Sequence, residues 1–299
     1  MDRTHGAAVT AEDFGLKGPR GWAFRGVNVD AGPGSLIAVE GPSGSGRTCL
    51  LLALTGRMKP TEGHAEVAGL RLPRNMAAVR RVSALGPVPG VSDLDPSFTV
   101  DEHLRERALL QRRFDGSLRA LLRPRGERAA ASTRSRVEEA LETAGLDLDS
   151  LPKAGRTTVR DLERLEALRL SVALALIGRP RLLALDDTDL KLSDADRAQV
   201  WALLRVVAEQ GTTVLAVCSE APEDAVLVST APSATTDTVA GKEAAPVPAP
   251  VPEAEAEAEA VAEPMTQPEP TPEPDTDTDA DKTTTEEEPA DAIAETGRA

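Results

Sequence analysis

Gly41-Pro42-Ser43-Gly44-Ser45-Gly46-Arg47-Thr48 follows the apolar run Leu36-Ile37-Ala38-Val39. The spacing is that of the phosphate-binding loop GxxxxGK[ST], met in every position but one. Such a loop needs glycines because the chain must wrap its N–H groups around an anion. A helix read from about Arg47 to Gly56 aims its positive N-terminal end at the same place. Thr48 stands where a hydroxyl is needed to hold magnesium. Arg47 stands where the motif has lysine, and a planar guanidinium differs in reach from a compact ammonium. Gly41, Pro42, Ser43, Gly44, Ser45, Gly46, Arg47, Thr48 and Cys49 are therefore the candidate phosphate-binding residues. The alternative is a glycine-rich strand-to-helix turn that holds nothing.

Outward from this loop the chain alternates between apolar strands and helices. Trp22-Ala23-Phe24 and Val27-Asn28-Val29 read as short strands, followed by a turn at Gly32-Pro33-Gly34. Residues 64–68 and Arg81 to Leu85 read as further extended segments. Val100 to about Ala144 has a helical pattern rich in arginine, including Arg105, Arg107, Arg112, Arg113, Arg119, Arg123, Arg125 and Arg128. A solvated face accounts for it, with contact to phosphates or lipid headgroups as the alternative. Phe114 is the one aromatic residue among these arginines, too little interleaving for single-stranded nucleic acid, which is not an expected partner.

Leu162 to Ile177 predicts a long helix closed by Gly178 and Pro180. Leu182-Leu183-Ala184-Leu185 suits a strand buried on both faces, and it ends in Asp186-Asp187. A carboxylate there, in a chain with a phosphate loop, is the expected second holder of magnesium. Thr48 and Asp186 are thus the candidate metal residues. Ser193 with Asp196 predicts a helix cap, Val200, Leu203, Leu204 and Val207 a buried stripe, and Gly211 the stop. Thr212 to Val217 is one more buried strand. The alternation predicts an α/β fold with a largely parallel sheet and right-handed crossovers.

Composition divides the 299 residues unequally. From Ala231 onward there are 18 acidic and 3 basic residues, 11 prolines and no aromatic ring. Residues 1–230 hold 31 acidic and 31 basic residues, so the net charge of −15 belongs to the tail. Residues 231–299 cannot bury enough apolar surface to offset ordering and are expected to be disordered. The start lacks a basic, apolar leader, and no apolar run approaches the ~18 residues that span a bilayer. Cys49 and Cys218 have no metal-ligand spacing, and His5, His64 and His103 do not cluster. A reduced, cytoplasmic setting is expected, without a histidine-centred site.

On these motifs, residues 10–228 resemble the nucleotide-binding domain of an ATP-binding cassette (ABC) transporter. The resemblance rests on the phosphate loop, on Arg181 to Asp187 as the second nucleotide motif, and on Val172-Ala173-Leu174-Ala175-Leu176-Ile177-Gly178-Arg179-Pro180 before it. It implies a P-loop NTPase core over residues 1–230, with an antiparallel β part and a helical subdomain at about 98–170. It also implies ATP and Mg²⁺ as ligands and Asp187 in the slot of the catalytic glutamate. The implied partners are a membrane permease subunit and a second cassette, identical or not, with the chain peripheral at the inner face of the membrane.

Several slots depart from that family. The LSGGQ slot holds Leu162-Glu163-Arg164-Leu165-Glu166, and no glutamine occurs between Arg81 and Val100. The adenine-stacking aromatic falls near Gly18, with Phe14 and Trp22 as the nearest substitutes. The following loop's aspartate maps near Ser193, and the switch histidine to Ser219. Serine cannot become a cation. Phosphate cradling is retained while the parts needed for hydrolysis are depleted. Two readings follow: an ATP-binding transport subunit with weak or partner-dependent hydrolysis, or a non-catalytic scaffold that kept the fold. A P-loop kinase ranks third, since no lid or acceptor site is legible.

Overall fold

The computed structural model describes residues 5–114 and 127–231, with side chains omitted at 112–114 and 127–130. The tail reading, and the arginines from Arg112 to Arg128, lie outside that description. The described residues fall in one compact unit, 1–237.

Its centre is a five-stranded sheet made of β3 (Leu36–Glu40), β6 (Ser83–Leu85), β7 (Leu182–Leu185), β8 (Thr213–Val217) and β9 (Val226–Ser229). The strand order is β6-β7-β8-β3-β9, and every pair is parallel. Side chains alternate across a strand, and the sequence is apolar at both parities. Ile37, Val39, Leu182, Ala184, Leu215 and Val217 enter one core. Leu36, Ala38, Leu183, Leu185, Val214 and Ala216 enter the other. Continuous apolar runs are thus what a sheet covered on both faces requires.

The first core is closed by α1 (Arg47–Leu54) and by a second sheet. That sheet joins β1 (Val9–Gly18), β2 (Gly21–Ala31), β4 (Glu62–Val67) and β5 (Leu70–Leu72) in the order β2-β1-β4-β5. Its pairs are antiparallel. The second core is closed by α5 (Arg164–Leu176) and α6 (Asp194–Glu209). A third cluster, with Val100, Leu104, Ala140, Leu146, Leu151, Leu170 and Ile177, gathers α3 (Val100–Phe114) and α4 (Glu127–Ala144) against α5. α5 is apolar on most sides because it separates two cores.

Several sequence expectations change. The two short strands at 22–29 are one, β2, because irregular pairing with β1 lets the strand run on past Arg25 and Gly26. Arg81 and Val82 end the helix α2 (Met76–Val82), and only Ser83–Leu85 is strand. Arg107 is not part of a solvated face: its Nε donates to the Leu174 carbonyl at 3.0 Å and ties α3 to α5. α6 opens as expected, with the Ser193 hydroxyl accepting from the Asp196 N–H at 3.1 Å.

Candidate functional site

The carboxyl ends of β3, β7 and β8 meet at one edge of the parallel sheet, where open α/β sheets place ligands. β3 delivers the glycine loop, β7 delivers Asp186 and Asp187, and β8 delivers Cys218 and Ser219. The parallel register puts them together although 171 residues separate Arg47 from Cys218.

The loop is shaped by close approaches that exclude side chains. Gly46 has φ +83°, and a Cβ there would strike the Ala23 carbonyl of β2. At Gly41 a Cβ would collide with the hydroxyls of Thr230 and Ser45. Those two hydroxyls bond to each other at 2.6 Å, tying the loop to the end of β9. A cradle that only glycine fits, opening onto the unpaired first-turn N–H groups of α1, suits a polyphosphate.

Thr48 donates its hydroxyl to Asp186 Oδ2 at 2.5 Å. Two hard oxygen donors side by side suit Mg²⁺, which is bound by one or two protein oxygens and completes its shell with water and phosphate. Among the described residues no group of three His, Cys, Asp or Glu could hold a metal ion. Asp186 is 3% exposed. Burial, and secondarily Asp187, holds its carboxyl above the usual range, against the opposing Thr48 bond. Asp187 sits at φ +48°, and its N–H donates to Asp186 Oδ1 at 3.0 Å.

Arg47 does not project freely into the loop. Its Nη1 donates to the Cys218 carbonyl at 2.8 Å. The next residue, Ser219, donates its N–H to Asp189 Oδ2 at 2.6 Å. Ala221 N–H donates to the Glu40 carboxylate. The segment after β8 is thus held from the ends of two strands, β3 through Glu40 and Arg47 and β7 through Asp189. Cys218 is buried, and its thiol is pushed up to about 12 by burial and then by Asp189 and Glu40. Cys49 packs its side chain on the first core, and burial raises its thiol as well.

The structure separates the two adenine-side candidates. Phe14 is 0% exposed and stacks at a tilt on Phe24 with ring centroids 5.7 Å apart. It cannot reach a ligand, because irregular pairing in β1 turns it into the core. Trp22 is 41% exposed, with the Arg25 guanidinium 4.7 Å and Lys17 Nζ 5.5 Å from its ring centroid. The LSGGQ slot is a helix cap: the Glu166 carboxylate accepts the Glu163 N–H at 2.8 Å and starts α5.

Glu40, Asp189 and Thr230 border the site and were not singled out from the sequence. Asp189 had a signal, three residues beyond Asp186. Thr230 had none, since β9 reaches β3 only through the tertiary fold.

Comparison with known proteins agrees with this geometry. The family model described as ABC transporter matches residues 24–189. The "Daunorubicin resistance ATP-binding protein DrrA3" of Streptomyces coeruleorubidus is 33% identical over 194 residues, covering 64% of this chain and 54% of that protein. The "Nod factor export ATP-binding protein I" of Cupriavidus metallidurans is 31% identical over 189 residues, covering 63% and 55%. The chain thus spans about half the length of these bacterial relatives, and 8% of the rat "ATP-binding cassette sub-family A member 7", with which it shares 32% identity over 193 residues, 64% of this chain. Among solved structures, a dimeric bacterial ABC transporter cassette superposes with TM-score 0.57 at 21% identity, covering 75% of this chain and 94% of that one. At that identity the likeness speaks for the fold.

Proposed function

The chain belongs to the ABC transporter family, and from that premise we propose that residues 1–230 are a nucleotide-binding domain that takes Mg-ATP and hydrolyses it poorly alone. The observation that carries the binding half is the Thr48–Asp186 pair, 2.5 Å apart at the mouth of a glycine-only cradle. Gly41 and residues 43–49 would supply the backbone N–H groups, Pro42 having none, and Thr48 with Asp186 would supply the protein oxygens to magnesium. Bound magnesium would offset phosphate charge at this edge.

Hydrolysis needs an oriented water and stabilised transition-state charge. Asp187 is a methylene short of the family's glutamate and lies beside a second carboxylate. Ser219 has its N–H committed to Asp189. Glu163 and Glu166 cap α5 where the family presents serine and glycines to a partner's nucleotide. A symmetric pair of these chains is therefore poorly equipped, and a heterodimer with a better-equipped cassette would supply what is missing.

A membrane permease is the proposed second partner. Beside α3 runs a groove of about 750 Å³, lined by Arg57, Arg80, Val91, Phe98, Leu110 and Ser171 among others. Val91, Phe98 and Leu110 are exposed, and burial lowers Arg57 to about 10. Exposed apolar side chains flanked by charges of both signs, Arg57, Arg80 and Arg107 with Asp93, Asp95 and Glu106, suit a short amphipathic helical segment of a permease. Among the described residues no helix is long and apolar enough to cross a membrane. A cytoplasmic, peripheral position through the permease follows from this reading.

One observation favours the scaffold alternative. Arg47 already spends a guanidinium N–H on the Cys218 carbonyl, so a ligand must compete for it. Calorimetric titration of Mg-ATP into the full chain decides between the two. Saturable binding is expected, weakened at least tenfold in Thr48→Ala. No heat at millimolar nucleotide would leave the scaffold.

A further inference from the structure

Resting on the nucleotide-binding reading above, we infer that Asp189 makes this site select nucleoside diphosphates over triphosphates. A basic residue in the slot of Arg47 reaches the β- and γ-phosphates of a bound nucleotide. Here that residue lies 2.8 Å from the Cys218 carbonyl. The space beyond a β-phosphate therefore borders the segment from Cys218 to Ala221.

Two of that segment's N–H groups are committed to carboxylates, and the Cys218 N–H goes to the Val39 carbonyl at 3.1 Å. Ser219 N–H goes to Asp189 Oδ2 at 2.6 Å, and the Ser219 hydroxyl lies 3.5 Å from Asp189 Oδ1. Ala221 N–H goes to Glu40. Asp189 is 8% exposed, so its charge is little screened by water. It is held in place by the neighbouring turn, in which Thr188 donates its N–H and hydroxyl to the Val217 carbonyl at 3.1 and 2.9 Å. The local field agrees: after burial, which raises the Cys218 thiol most, Asp189 and Glu40 both push it further upward, over the opposing pull of Arg47.

A terminal phosphate at this place adds negative charge beside Asp187, Asp189 and Glu40, against Arg47 and a magnesium ion whose charge the inner phosphates and Asp186 already share. It finds the Ser219 N–H taken. The groups that serve the inner phosphates are of a different kind. They are the first-turn N–H groups of α1 and the Thr48–Asp186 pair, none of which involves Asp189. The chain length of the phosphate, not the base, is what Asp189 reads. Trp22 has two cations against its ring, which leaves the phosphates as the main point of discrimination.

Calorimetric titration of the full chain with Mg-ADP, Mg-ATP and AMP tests this, beside the variant Asp189→Asn. Asparagine keeps an oxygen for the Ser219 N–H and removes the charge. ADP is expected to bind at least tenfold tighter than ATP. Asp189→Asn should raise ATP affinity at least fivefold and leave ADP within twofold. ATP binding as tightly as ADP, or more tightly, would overturn the inference while leaving a working nucleotide site. A gap that Asp189→Asn does not narrow would overturn the assignment to Asp189. Failure of all three nucleotides to bind would instead remove the reading on which the inference rests.

Discussion

Gly46→Ala is expected to lower the melting temperature of the chain by about 6–12 °C. Two costs add. A left-handed conformation costs an L-residue about 1–2 kcal/mol, and Gly46 holds φ +83°. The new methyl group would also strike the Ala23 carbonyl, which is backbone of β2. A peptide group in a paired strand cannot swing aside as a flexible side chain could. Overpacking of that kind costs about 1–3 kcal/mol. A total of about 3 kcal/mol corresponds to that range of temperature for a body of this size. Gly44→Ala is the control: it carries φ +81°, yet a Cβ there meets nothing within 4 Å. Only the conformational cost applies, about 1–2 kcal/mol, or about 2–8 °C. Calorimetry on both variants separates the loop's steric closure from its backbone demand. Equal shifts would mean that the approach of β2 to the loop is not as close as the structure has it.

Asp186→Asn is expected to stabilise the nucleotide-free chain while weakening Mg-nucleotide binding at least tenfold. The sign follows from the raised pKa of Asp186, caused first by burial. A carboxyl whose folded pKa lies above its unfolded value favours its neutral form in the fold. The cost of ionisation is therefore present at neutral pH and disappears as pH falls through the folded pKa. Asparagine removes that cost. Its oxygen can still accept the Asp187 N–H, and its amide can donate to Thr48. Magnesium loses an anionic oxygen, however, and the pair built with Thr48 no longer serves it. The same shift makes wild-type Mg-nucleotide binding fade on acidification at a higher pH than an ordinary aspartate would give. Melting curves and titrations at pH 7 check the first two effects. A less stable, fully binding variant would show that Asp186 is structural.

The strands that carry the candidate site were largely legible because each strand of the parallel sheet announces itself as an apolar run that ends at one edge. Gly41–Thr48 follow β3, Asp186 follows β7 and Ser219 lies just past β8. α5 and α6 were legible from stop signals and from the Ser193 cap. β1 was not read, although Val9 to Gly18 pairs with both β2 and β4. Its pattern is broken by irregular pairing near Asp13, which holds φ +46°. The same break hid the burial of Phe14. Arg107 was misjudged because composition counts arginines but does not say which one reaches inward. The tie from Arg47 to Cys218 depends on two strands brought side by side from opposite ends of the domain. No local spacing encodes it.

On the function proposed above, the site keeps nucleotide and lacks the means to cleave it. A single-turnover measurement tests that most directly. The full chain in excess is mixed with Mg-ATP labelled on the terminal phosphate, and bound and free label are resolved over time. Nucleotide should be retained intact, with cleavage slower than about 0.01 s⁻¹, two orders below the low end of ordinary enzyme turnover. Release of labelled phosphate at about 1 s⁻¹ or faster, abolished in Asp187→Ala, would contradict it.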